Sequence, residues 1–234
     1  MRIAVSISLL SIVVLLSACI KDTSGSQPML VQTITIDSNA CSINFTYDGQ
    51  NRLTSSVQCD TSETFTYSHD SVIDIKMMIN EQVIIYENIY TLNAKGLATG
   101  CVRIGGGGEI SSSVFVYDVN GFLLSSTDTT HPNTANTYVI QNKDMLTEQS
   151  TSSVTGQSYS ITTTYYANTI NRIGNANFGL TFIGASSVNL KKADTYSGLN
   201  TINYTYQLDN NNGIARQVST VDGVVTDARS FSYY

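Results

Sequence analysis

Apolar and polar residues alternate along most of this chain in short runs separated by polar turns. One unit recurs: an aromatic-led strand, a turn opened by Asp or Asn, then a strand that begins with an aliphatic residue. Its clearest copies are Phe45-Thr46-Tyr47-Asp48-Gly49-Gln50-Asn51-Arg52-Leu53 and Phe115-Val116-Tyr117-Asp118-Val119-Asn120-Gly121-Phe122-Leu123. Looser copies run from Tyr90 to Leu97 and from Tyr206 to Ile214. In each, Asp or Asn suits the start of a type I turn, and the Gly or Asn three places later suits the left-handed conformation that makes a bulge. Val221-Asp222-Gly223-Val224 reads as a two-residue hairpin.

The first hairpin has a testable register. With a three-residue loop at 49–51, Asp48 faces Arg52, Tyr47 faces Leu53, and the pairing runs back to Cys41 opposite Cys59. One face then carries Cys41, Ile43, Phe45, Tyr47, Leu53, Val57 and Cys59, with Ser55 as its polar member. A one-residue slip would scramble that segregation. Around Asp118 the pattern is less clean, because Val114, Val116 and Leu124 face opposite to Phe115, Tyr117 and Leu123. Further strands are expected at 65–67, 72–79, 83–92, 97–103, 137–140, 145–150, 159–166, 202–208 and 229–234. Segments 105–108 and 127–136 read as loops. The stretch from Ala167 to Asn200 is the least legible and suits a short helix or a capping excursion. No stretch carries a helical period.

The expected fold is therefore all-β: a single antiparallel meander of hairpins over 31–234, a strongly curved open sheet or barrel-like, with one face packed. Composition agrees. Fourteen Tyr, no Trp and two Pro make the palette of a sheet. Charged residues, at 13%, are about half the usual share, and Ser, Thr and Asn replace them. The net charge is −6 and the one basic pair is Lys191-Lys192, which argues against nucleic acid as a partner.

The N-terminus changes the picture. Arg2 precedes an uncharged run from Ile3 to Leu16, long enough for a signal-peptide core and shorter than the ~20 residues of a spanning helix. Leu16-Ser17-Ala18-Cys19 then resembles a lipobox, so residues 1–18 are expected to be removed and Cys19 to carry acyl chains, with 19–30 as lipidated cysteine and flexible tether. The alternative is an ordinary secretory signal in which the cysteine is chance. No Asp follows Cys19 directly, which favours the outer membrane over retention at the inner one; the side of that membrane stays open. Export also permits disulfides. The hairpin register pairs Cys41 with Cys59 and leaves Cys101 free, while two reduced thiols packed as small hydrophobes are the competing reading.

Tyr-Asp-x-x-Gly-x-Leu units, the lipobox, the near-terminal Tyr-x-Leu-Asp…Gly pair and the segment Gly184 to Leu190 ending in Asn189-Leu190 together resemble the Bacteroidota lipoproteins of unknown function with a porin-like or open-barrel β domain. The Tyr-Asp units also resemble those of YD-repeat shells. The first resemblance implies a fold and an address and implies no catalytic residues.

Chemistry is sparse. His69 and His131 stand in turns or loops without metal-ligand spacing. Nucleophile elbows, zinc-protease helices and Cys-x-x-Cys pairs are missing from the sequence, and no cofactor motif is found. The glycines at 105–108 lack the Lys-Ser/Thr and helix of a phosphate loop. Asp209 to Gly213 resembles a calcium loop with its glycine one place early and no bidentate Glu. Asp70 and Asp74 read as carboxylates on a wet strand face. Three functions remain: a non-enzymatic envelope protein that binds a ligand or glycan or joins an envelope-protein complex; a hydrolase with scattered Asp and Glu; or a transmembrane β-barrel. The first is expected, with Cys19 as the membrane attachment.

Overall fold

The computed structural model describes residues 29–37, 41–131, 134–151, 158–172, 176–198 and 200–234. The signal segment, Cys19 and most of the tether lie outside them. Sixteen strands follow one another among the described residues. The first eight are β1 (Val31–Ile36), β2 (Ser42–Tyr47), β3 (Leu53–Gln58), β4 (Thr61–Tyr67), β5 (Ser71–Met78), β6 (Val83–Leu92), β7 (Ala98–Gly105) and β8 (Ile110–Tyr117). The second eight are β9 (Leu123–Asp128), β10 (Thr134–Gln141), β11 (Asp144–Thr151), β12 (Ser158–Ile170), β13 (Asn189–Tyr196), β14 (Thr201–Leu208), β15 (Ile214–Val221) and β16 (Val224–Tyr233). Each pairs antiparallel with its sequence neighbours, and β1 pairs with β16, so the meander closes into a barrel. Of the open and closed forms that the alternation allowed, the closed one is found.

Four turns at one end share a single geometry. At Asp48, Asn93, Asp118 and Asp209 the side-chain Oδ1 accepts the backbone N–H groups two and four residues on, at 2.8–3.1 Å. The fourth turn residue has positive φ: Asn51 at 61°, Gly96 at 77°, Gly121 at 87° and Asn212 at 60°. This is the type I turn with a left-handed residue that the sequence pattern predicts. Asp222 (φ 51°) and Gly223 (φ 78°) likewise make the expected two-residue turn between Val221 and Val224.

Each of the four turns carries a second feature. One pair beyond it, the outgoing strand holds an extra residue: Tyr47 faces Leu53 but Thr46 faces Ser55, and Tyr117 faces Leu123 but Val116 faces Ser125. The same bulge follows the turns at Asn93 and Asp209. The extra Thr54 and Thr99 donate their hydroxyls to the carbonyls of Thr46 and Thr91. The expected faces of the first hairpin therefore hold through Leu53 and then invert. Ser56 and Gln58 stand opposite Phe45 and Ile43, and Val57 stands opposite Asn44 on the outer surface. Cys59 lies just beyond β3, in the β3–β4 turn with φ 53°. A bulge adds one residue to one strand, which flips every later side chain.

The wall is amphipathic in the usual sense for an antiparallel sheet. Inside, Val31, Ile34, Phe45, Leu53, Phe65 and Val72 are buried. Outside, Thr35, Asn44, Thr46, Thr64 and Thr66 are exposed. The stretch from 167 to 200 contains the end of β12, two 3-10 turns (Ala176–Gly179 and Thr181–Ile183) and β13. Its middle folds into the barrel instead of capping it from outside. Phe182, 2% exposed, meets Tyr90 at 4.9 Å between ring centroids, and Phe178 stacks on Phe45 at 5.5 Å.

That inserted segment is tied at three points. Asn177 and Ser186 exchange hydrogen bonds at 2.8 and 2.9 Å. Asp144 accepts both the backbone N–H and the side-chain amide of Asn189, at 2.9 and 2.8 Å. Gly184, at φ 107°, passes so close to the β8–β9 turn that a Cβ there would lie 2.7 Å from the Gly121 carbonyl oxygen and 2.9 Å from the Tyr117 ring. Only glycine fits both the dihedral and the gap.

Candidate functional site

The inserted segment fills one part of the lumen and leaves another open. A cavity of about 800 Å³ remains between it and the inner faces of β9–β11 and β13–β16. That volume is in the range of small-molecule sites. At the end holding the Asp turns, its floor is apolar: Phe122 and Leu190 are 6% and 2% exposed, and Leu123, Ile140, Met145 and Phe231 complete it.

The strand registers place polar side chains in rows on the opposite wall. Tyr206 faces Gln217, which faces Arg229, and the next inward row is Tyr204, Ser219 and Asp227. Lys191 Nζ sits 3.1 Å from Asp194 Oδ2, and Arg229 Nε sits 2.6 Å from Asp227 Oδ2. The Lys191 and Arg229 side chains keep 40% and 45% of their surface in contact with solvent. Water therefore reaches this level of the lumen. Asp194 is buried and fully engaged, also accepting Thr163 Oγ1 at 2.6 Å and the Tyr204 hydroxyl at 2.9 Å. Burial first, then the Asp194 carboxylate, pushes the Tyr204 hydroxyl well above its ordinary value, so it remains a donor.

A second polar cluster stands inside β4–β7. Asp74, 3% exposed, accepts the Asn88 amide at 2.8 Å through Oδ2, while its Oδ1 is shut off from water with no donor in reach. Glu63 adjoins it and accepts the Tyr86 hydroxyl at 2.5 Å. The Arg103 guanidinium lies 3.9 Å over the Tyr86 ring. The expectation that Asp70 and Asp74 share a wet face is thus corrected: Asp70 is exposed in the β4–β5 turn, and Asp74 points inward. Sequence reasoning missed this cluster and the cavity alike. The inward positions of Glu63, Asp74, Asn88 and Arg103 alternate in phase with Phe65, Val72 and Tyr90. That phase is the signal that was available.

Other singled-out residues take ordinary places. His69 is exposed in a turn, and His131 is held 3.1 Å from Asp128 at the far end. Asp209 makes a hairpin turn. The glycines at 105–108 form the β7–β8 turn. Cys101 faces the lumen beside Tyr90, and burial pushes its thiol up to about 11, which keeps it protonated. Cys41 and Cys59 have their Cα atoms 5.5 Å apart.

No family model matches the chain, and no curated protein does. Among solved structures, a porin-like protein from Bacteroides uniformis is similar at a TM-score of 0.69, with 16% identity over 89% of this chain and 99% of its own. A porin-like protein from Bacteroides vulgatus aligns at a TM-score of 0.58, also with 16% identity, over 88% of this chain and 99% of its own. At that identity the likeness shows the fold. Both neighbours are described as porin-like and neither as an enzyme.

The Asp74 environment predicts a pH dependence. Burial, reinforced by the Glu63 carboxylate against the opposing pull of Asn88 and Arg103, raises its carboxyl to about 7. In the unfolded chain an Asp titrates near ~4. Between those values the folded chain holds a proton that the unfolded chain has released. The stabilisation is full below about pH 4 and is lost as pH rises through 7. Urea melts at about pH 5 and 8 should show the wild type losing stability relative to Asp74→Asn as pH rises. An offset that stays constant across that window would refute the assignment.

Proposed function

We propose that the protein is a non-enzymatic module of the outer membrane, anchored through acyl chains on Cys19, that binds a small molecule in its barrel lumen. The observation that carries this is the water-accessible cavity with an apolar floor and a hydrogen-bonding wall. The porin-like fold of the two Bacteroides neighbours supports an envelope setting. The tether enters β1 at the Asp-turn end, where Tyr234 N–H donates to the Leu30 carbonyl at 3.1 Å. The described chain therefore enters the barrel at the end that carries the apolar floor.

A spanning barrel is the less favoured reading. Its strands would need ~9–11 residues and an apolar belt around the whole circumference. Most strands here have 6–8 residues. Apolar side chains crowd the exterior on one arc, including Val102, Ile110, Val114, Val116 and Leu124. Elsewhere the exterior shows exposed Thr and Asn, such as Thr162, Thr195, Asn203 and Thr205. A hydrolase would draw on Asp194 and Asp227 beside the cavity or on Glu63 within β4–β7, and each of these carboxylates is already engaged: Asp194 by Lys191, Thr163 and Tyr204, Asp227 by Arg229, and Glu63 by Tyr86.

Two features of the exported chain follow from the same reading: acylation at Cys19 and a disulfide between Cys41 and Cys59. The 5.5 Å Cα separation lies within the disulfide range.

In cells, labelled palmitate should mark the wild type and leave Cys19→Ala unmarked; labelling that survives the substitution sinks the anchor. Purified Cys19→Ala protein, unfolded without reductant, should show one reactive thiol, mapped to Cys101. Three would mean that Cys41 and Cys59 are reduced.

Lumen binding can be read with the neutral apolar dye N-phenyl-1-naphthylamine on the same Cys19→Ala protein. Saturable fluorescence enhancement should appear and weaken at least about tenfold in Ser219→Phe and Ile202→Trp, two lumen-filling substitutions, in forms whose circular dichroism is unchanged. Absence of dye binding to the parent protein, or binding indifferent to both substitutions, would overturn the lumen reading.

A further inference from the structure

The two ends of the cavity differ in kind, and that difference specifies the ligand. The floor, formed around Phe122, Leu190 and Phe231, offers neither a charge nor a free hydrogen-bonding side chain. A wholly hydrophilic ligand such as a bare oligosaccharide would lose its hydration there without recovering partners, which costs free energy for every polar group buried. A wholly apolar ligand would instead bring hydrocarbon against the Lys191–Asp194 and Arg229–Asp227 pairs and strip water from them. A molecule that is apolar at one end and polar at the other satisfies both ends.

Charge narrows the polar end further. Each rim cation already has its own carboxylate, at 3.1 and 2.6 Å. Glu148 adds a negative charge close to Lys191 and Asp194. An anionic head would have to pull a cation from its partner and would face the Asp227 carboxylate, with Asp194 and Glu148 close to Lys191. A cationic head would meet Asp194 and Asp227 already engaged by Lys191, Arg229 and the Tyr204 hydroxyl, and the remaining carboxylate, Glu148, does not line the cavity. An uncharged head with hydroxyl and carbonyl groups can use spare donors on Lys191 and Arg229 and the Gln217 amide without breaking a pair.

We propose that the lumen holds a single-chain amphiphile with an uncharged, hydrogen-bonding head, its chain lying on the floor by Phe231 and its head at the Lys191–Arg229 rim. The proposal rests on the lumen-binding reading above and deepens it. It also orients the ligand. The head faces the far end of the barrel, and the chain points toward the Asp-turn end where β1 begins.

The probe is monolaurin, used below its micelle concentration against N-phenyl-1-naphthylamine bound to the Cys19→Ala protein. Laurate, dodecylammonium and maltotriose serve as anionic, cationic and chainless comparisons. Monolaurin should displace the dye at a concentration at least about tenfold below laurate or dodecylammonium, and maltotriose should not displace it. Orientation is read by fluorescence, because the chain has no Trp of its own. Monoacylglycerol brominated at the chain end should quench Phe231→Trp strongly and Tyr204→Trp weakly; Phe122→Trp reports the same floor if Phe231→Trp does not fold. Laurate or dodecylammonium matching monolaurin, displacement by maltotriose, or stronger quenching at Tyr204→Trp would each overturn the proposal. If the dye binds in the lumen and none of these compounds displaces it, the amphiphile assignment fails while lumen binding stands. If the dye does not bind, both fail.

Discussion

Closure of β1 onto β16 is the constraint on which the rest of the molecule depends. A meander of hairpins satisfies the backbone of every inner strand but leaves its first and last strands with a row of unpaired N–H and C=O groups. Here Val31 pairs with Tyr233, Ile34 with Phe231 and Ile36 with Arg229, so neither edge is exposed. Closure in turn commits sixteen strands to a ring whose interior is too wide for wall side chains alone to fill. The segment at 176–188, which is not wall, becomes filling.

The filling is uneven, and the lumen side chains explain why. From β2 to β8 the inward positions nearer the Asp-turn end carry large rings: Phe45, Tyr47, Phe65, Tyr67, Tyr90 and Phe115. Phe178 and Phe182 join them, with Phe182 wedged against Tyr67 and Tyr90. Aromatic burial with offset or edge contacts is worth more per residue than any other packing available to this chain. The inserted segment therefore leans to that half. On β15 and β16 the inward positions include Gln217, Ser219, Asp227 and Arg229, which cannot pack against an apolar insert without losing hydration. The cavity lies on the side of these polar inward positions.

How far this was legible in the sequence follows from the same physics. Turn chemistry is local, so the Asp48, Asn93, Asp118 and Asp209 turns and the Asp222-Gly223 hairpin could be read from a few residues each. The bulge one pair beyond each Asp turn could not, because Thr54 or Leu124 looks like any other strand residue until a partner strand is in place. That single unread feature inverted the expected faces of β3 and made the Asp118 hairpin look covered on both sides. Val116 and Leu124 are simply outside. Closure was left open because alternation looks alike in a curved sheet and in a barrel. The site was the least legible part, since its lining comes from strands some ninety residues apart, such as Tyr138 on β10 and Asp227 on β16, and from an inserted segment without periodicity.

The bulges also bear on how the lumen is built. An extra residue in the outgoing strand increases local twist and bends the strand. With four of them at the Asp-turn end, the wall is bent repeatedly at the level where the aromatic core and the insert sit. The far end lacks Asp turns of this kind among the described residues, and there the inward side chains turn polar: Lys76, Arg103, Asp194 and Asp227. The sequence thus spends its turn chemistry and its large rings at the same end and its ionisable groups at the other. A barrel made this way is packed where β1 begins and stays hydrated around Lys191 and Arg229. Only a wall that is dry at one end and wet at the other can leave a cavity that is apolar below and charged above.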